Sequence, residues 1–159
     1  PNPPLALWSS PSGRALQTLA IIAEHIGPDL HGATRDVRLQ EIDVGEWAGR
    51  TYAEIMADQG DIMDPHVALF SKRPPGGEWY DDIAARLQRW IDDTAHVDGD
   101  RLVIMHGMSS RVLRGMMLGL PIDPLWRAPI APSLPQGTMV MIDKGVEEIV
   151  HLGGSAKPA

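Results

Sequence analysis

Two short segments of this sequence place anion-binding and proton-transferring groups where a strand gives way to a helix. The first is Trp8-Ser9-Ser10-Pro11-Ser12-Gly13-Arg14, an apolar run that ends in a serine-rich turn and opens a helical pattern. Such a junction presents backbone N–H donors and the positive end of a helix dipole. Arg14 falls in the first helical turn, where a cation is unfavourable unless it and the dipole share an anion. A surface arginine behind an N-cap is the plainer alternative. The second segment is Ile104-Met105-His106-Gly107, with Ser109 or Ser110 as a cap and Arg111 beyond. A histidine at a strand end beside a helix start can contact an anion or donate a proton. A hydrogen-bonded structural histidine is the alternative there.

Two further segments carry carboxylates. Glu41 lies between Leu39 and Ile42, an apolar setting that suits a general acid; a solvated loop carboxylate is the alternative. Gly45 and Gly49 after it allow a compact irregular loop. Thr51 and Glu54 have capping-box spacing, so Glu54 reads as structural. Gly76-Gly77-Glu78-Trp79 precedes a helical pattern. The glycine pair allows close backbone approach to a ligand and Glu78 suits a helix N-terminus, although capping alone accounts for it. Ser10, Glu78 and Trp79 are the expected pocket-lining residues.

The elements that must hold these groups can be read from periodicity. Leu5–Trp8 and Arg101–Met105 read as buried strands. Arg14–Ile26 reads as a helix with Ala15, Leu19, Ile22 and Ile26 inward and Gly27-Pro28 as its stop. Thr51–Ala57 is a shorter helix. Glu78–Ala95 is a longer one, with Ile83, Leu87, Trp90 and Ile91 inward. Another helix follows His106-Gly107 and runs to about Leu118. Met139–Ile142 and Val146–Leu152 form a hairpin around Asp143-Lys144-Gly145. The order predicts a single α/β domain, a three-layer α/β/α sandwich with a mostly parallel central sheet. Sites in such sheets lie beyond the carboxyl ends of strands, so Ser9–Arg14 and His106–Arg111 should contribute to one site. No internal repeat of useful length is evident.

Composition narrows the chemistry. The 159 residues contain no cysteine, which excludes thiolate catalysis and cysteine-ligated metals. The formal net charge of -7 with no basic block disfavours nucleic acid or an anionic membrane as partner. No apolar run reaches membrane-span length and no signal peptide opens the chain, so the expected location is the cytoplasm. There is no Walker-type loop, dinucleotide fingerprint or His-Glu-x-x-His pair, and Arg111 replaces the closing glycine of a nucleophile elbow. His25, His31, His66, His96 and His151 lack ligand spacing, so no metal or other cofactor is expected.

Taken in order, the four segments resemble the histidine phosphatase (phosphoglycerate mutase-like) superfamily over about Leu5–Leu152. Ser9-Ser10-Pro11 with Arg14, Ala15 and Thr18 is similar to its "SSPxxRAxxT". Leu39, Glu41, Gly45, Trp47 and Gly49 are similar to "LxExxxGxWxG", Gly76-Gly77-Glu78 to "GGE", and His106-Gly107 to the second-histidine "HG". Met105 stands where "SHG" has serine, and Trp79 follows the glutamate of the common "GGES". The resemblance implies a phosphoglycerate mutase-like fold and metal-independent phosphoryl transfer through a phosphohistidine. It implies that Arg14, His106 and Gly107 bind phosphate, that Glu41 and His106 are catalytic, and that Glu78 supports the pocket edge. The "RHG" segment that supplies the nucleophile in the family occurs nowhere in the 159 residues; it is expected upstream of Pro1. The implied activity is hydrolysis of a small phosphorylated metabolite. A catalytically inactive phosphate binder and a phosphoglycerate-type phosphomutase are the alternatives, and homodimer formation stays open. Specificity is expected from the loops Gly60–Pro75 and Pro121–Gln136.

Overall fold

The structure, a computed structural model, describes residues 5–27 and 32–154. Pro28, part of the expected helix stop, and His31 lie outside them. The chain forms two compact units, one from Pro1–Glu41 with Ala85–Ser110 and the other from Ile42–Ala84 with Arg111–Ala159.

The first unit is built on three parallel strands: β1 (Ala6–Ser9), β2 (Thr34–Arg35) and β5 (Arg101–Ile104), in the order β2-β1-β5. Parallel pairing requires crossover connections, and helix α1 (Gly13–Ile26) provides the first. It buries Ala15, Leu19 and Ala23 and stops at Gly27, whose φ of 79° is the left-handed conformation glycine adopts without strain. Ile26, expected inward, is exposed. Strands of four residues span about 13 Å, whereas a 14-residue helix spans about 21 Å, so its last turn overhangs the sheet. Likewise β5, expected buried, is half-buried throughout, because it pairs on one edge only among the described residues. Helix α3 (Tyr80–Thr94) begins in the second unit and ends in the first, where Leu87 and Trp90 are buried and Trp90 meets Trp8 edge to face at 5.7 Å.

Helix α4 (Gly107–Met117) passes from the first unit into the second. The second unit also holds α2 (Tyr52–Gln59), whose capping box pairs Thr51 with Glu54 as the spacing predicts. Two small hairpins there lie within the stretches Gly60–Pro75 and Pro121–Gln136, which periodicity assigns to loops. One joins β3 (Met63–Asp64) to β4 (Leu69–Phe70), the other β6 (Ile122–Asp123) to β7 (Ala128–Pro129). They are built alike. Each opens on Asp-Pro, and the aspartate carboxylate accepts the N–H two residues on, from His66 or Leu125. Each closes through a non-glycine residue at positive φ, Ala68 at 53° or Arg127 at 56°. The N–H of that residue returns to the aspartate carbonyl. Finally, β8 (Met139–Asp143) and β9 (Val146–His151) form the expected hairpin, with Lys144 and Gly145 both at positive φ, as a two-residue I′ turn demands.

Candidate active site

The ends of β1 and β5 meet. Pairing continues past the strands through Ser10 N–H to the Ile104 carbonyl at 2.9 Å, which brings the Ser10–Arg14 turn beside His106. The His106 ring is buried and held on both nitrogens. Its Nε2 lies 2.8 Å from Ser10 Oγ and 3.3 Å from Ser12 Oγ. The Arg14 Nε–H donates to Nδ1 at 3.2 Å. An arginine N–H can bond only an unprotonated ring nitrogen, so the ring is neutral, with its proton on Nε2. The electrostatics agree: burial lowers the His106 pKa, Glu41 opposes this, and Arg14 and Arg86 add to the lowering. Ser10 Oγ also accepts the Ser12 N–H at 3.3 Å, which fixes the turn beneath the ring.

Glu41 faces the start of α4. Its carboxylate accepts the N–H of Met108 at 3.1 Å and of Ser109 at 2.9 Å. Two first-turn donors that would otherwise lack intrahelical partners are thereby satisfied, at the positive end of the helix. The segment carrying Glu41 is tied down by Arg86, a buried residue on the inward face of α3. Its guanidinium donates to the carbonyls of Arg38, of Gln40 at 2.9 Å and of Glu41 at 3.3 Å. The first unit therefore gathers Ser10, Arg14, Glu41, His106 and Gly107, five of the residues singled out in the sequence. It adds Ser12, Arg86 and the N–H groups of Met108 and Ser109. Arg86 had a sequence signal: it interrupts an otherwise apolar face formed by Ile83, Leu87 and Trp90.

Glu78 and Trp79 belong to the second unit. Glu78 Oε2 accepts the Asp43 N–H at 3.0 Å, and its own N–H returns to the Asp43 carbonyl at 2.8 Å. Trp79 is buried against Tyr80 and donates its indole N–H to the Leu125 carbonyl at 3.3 Å. The close backbone approach read from Gly76-Gly77 is made to another loop. A Cβ on Gly77 would lie 2.5 Å from the Asp43 carbonyl, and one on Gly45 would lie 2.5 Å from the Gly77 nitrogen. No cluster of three or more metal-ligating side chains occurs among the described residues.

A family model described as the histidine phosphatase superfamily, branch 1, matches residues 2–153. The chain belongs to this superfamily. Among its relatives is a glucosyl-3-phosphoglycerate phosphatase of Mycolicibacterium vanbaalenii, 31% identical over an alignment that covers 76% of this chain and 56% of that protein. Another is a 6-phosphofructo-2-kinase/fructose-2,6-bisphosphatase of Caenorhabditis elegans, 30% identical over 77% of this chain and 26% of that protein. The chain thus spans about half of one relative and a quarter of the other. A solved mycobacterial glucosyl-3-phosphoglycerate phosphatase in complex with inorganic phosphate shares the fold, with a TM-score of 0.68 at 23% identity over 98% of this chain and 80% of that one. This histidine phosphatase relative is accordingly α/β with a parallel sheet in its first unit. None of its helices among the described residues is long and apolar enough to cross a membrane.

Proposed function

We propose that the protein is a metal-independent phosphatase that hydrolyses a small phosphorylated metabolite through a phosphohistidine. The observation that carries this reading is the Arg14–His106 pair beside the α4 N-terminus, with Glu41 held on the first-turn N–H groups of that helix. An arginine, a histidine and a helix start form a cationic cradle for a phosphoryl group. In the proposed cycle Arg14 turns from His106 onto a phosphoryl oxygen. The incoming dianion then favours protonation of His106, whose freed Nδ1–H donates to a second oxygen, and Gly107 supplies a backbone N–H.

The nucleophilic histidine is assigned to a part of the protein upstream of Pro1, in keeping with relatives longer than this chain. Its ring nitrogen forms the bond to phosphorus as the bond to the leaving oxygen breaks, and Glu41, entering this step as the carboxylic acid, gives its proton to that oxygen and becomes the carboxylate. Water then attacks the phosphorus, Glu41 accepts its proton, and the phosphorus–nitrogen bond breaks to release phosphate. Arg14 and His106 supply the positive charge that a metal supplies in other phosphatases.

The test is turnover of a panel of phosphomonoesters by the intact protein in the presence of a chelator. Hydrolysis that survives chelation and is lost in Arg14→Ala and Glu41→Gln supports the reading. Hydrolysis that needs a divalent ion, or that both variants retain, contradicts it. Binding of inorganic phosphate with no turnover would instead identify an inactive phosphate binder. Transfer between positions of a phosphoglycerate would identify a mutase.

A further inference from the structure

Arg111 is buried in the second unit, yet no carboxylate among the described residues neutralises it. Its Nε–H donates to the Ala131 carbonyl at 2.8 Å and its Nη1 to the Val67 carbonyl at 2.6 Å. Nη2 takes no protein acceptor among the described residues and is not sealed from solvent. Burial disfavours the charge; Tyr80 opposes this, and Arg114 adds a repulsion smaller than the Tyr80 effect. Of the acidic groups nearby, Asp123 stands on the wall of the cavity that Arg111 also lines but does not pair with Arg111. Asp123 Oδ1 accepts the N–H groups of Leu125 and Trp126, and Glu147 pairs with Arg114 at 2.6 Å. A buried cation held only by carbonyl oxygens leaves room for an anion, since such charges are normally paired.

Arg111 lines a cavity of about 590 Å³ between the two Asp-Pro hairpins. His66 and Val67 come from one hairpin, Pro124 and Trp126 from the other, and Ile130 and Ser133 from the chain beyond. The volume is that of an ordinary small-molecule site, which combines apolar walls with a few placed polar groups. The hairpins that form its walls are fixed by their Asp-Pro turns, the first also by the Arg111 bond to Val67, and the chain just beyond the second is held by the bond to Ala131.

We propose that this cavity is a second binding site, for a small molecule that carries one carboxylate or phosphate-type group on a mostly apolar body. Arg111 anchors the anionic oxygens, and Val67, Trp126 and Ile130 receive the apolar body. The proposal uses none of Arg14, Glu41 or His106, and it stands whether or not the protein is a phosphatase.

The test is an NMR titration of the intact, nitrogen-labelled protein with benzoate and with phenylphosphonate, using benzyl alcohol as the uncharged control. The Trp126 indole N–H, bonded to the Phe70 carbonyl at 3.0 Å, is the reporter. Saturable displacement of its signal by either anion, with the alcohol several-fold weaker, supports the site. Ser133 is exposed at the rim, so Ser133→Glu should weaken anion binding several-fold and Ser133→Lys should strengthen it, both with the fold intact. Arg111→Gln should abolish anion binding; if its loss unties the loops and the variant fails to fold, the Ser133 pair decides alone. The proposal is overturned if neither anion moves the reporter up to about 10 mM, a limit corresponding to roughly 2.7 kcal/mol of binding. It is equally overturned if benzyl alcohol binds as well as the anions, or if Ser133→Glu and Ser133→Lys bind them equally.

Discussion

The distinctive residue is a histidine held neutral by an arginine. Because the folded-state pKa of His106 lies below its usual value, the unfolded chain takes up this proton first as the pH falls. The stability contribution of the neutral ring is complete above the unfolded pKa of about 6.5 and declines as the pH drops through it. Denaturant midpoints should therefore fall less between pH 7 and pH 5 in His106→Gln than in the unsubstituted protein. The same wiring gives phosphate binding a proton signature. If an incoming anion draws Arg14 away and lets Nδ1 protonate, binding near pH 7.5 takes up protons. Calorimetry in two buffers of different ionisation enthalpy should give different apparent enthalpies, and His106→Gln should remove most of that difference. Arg14→Ala should lower kcat/KM by about 10²–10³, the usual loss when a transition-state donor is removed, as initial-rate kinetics would read.

At the scale of elements, the cluster depends on how segments are clamped. Arg86 holds the chain from Arg38 to Glu41 by its carbonyls, so Arg86→Gln should lower kcat more than it raises KM, by displacing Glu41 rather than by removing substrate contacts. Steady-state kinetics would separate the two parameters. Gly45 and Gly77 permit two loops to touch, and Gly77→Ala should cost about 1–3 kcal/mol of stability, the usual price of overpacking. Gly107→Ala should cost little, because a Cβ there meets only Glu41 Oε2 at 3.8 Å. Thermal melts of the two variants would show the contrast.

Much of this scale was legible. α1, α3 and the capping box of α2 announce themselves through periodicity and spacing, as does the β8–β9 hairpin through Lys144-Gly145. The two Asp-Pro hairpins were not, since strands of two residues are too short to show alternation and their αL residues, Ala68 and Arg127, are not glycines. The partner of Gly77 was missed for a different reason. A glycine pair states that something comes close, but whether it is a ligand or the Asp43–Gly45 loop is a tertiary fact.

For the molecule as a whole, the strand-end position of Ser10, Arg14 and His106 could be read because parallel sheets place their loops together. Glu41 could be placed only by its resemblance to a family motif, since nothing in its apolar flanks says that it faces the N-terminus of α4. The charge of -7 says nothing of the local pairing of Arg14 with a neutral His106. Whether Arg14, Glu41 and His106 form a phosphoryl-transfer site is tested most directly by rapid quenching of the intact protein with a phosphorus-labelled ester. The predicted result is a transient label on the protein that is lost in acid, kept in alkali, and longer-lived in Glu41→Gln. Steady hydrolysis with no labelled protein at any quench time would contradict it.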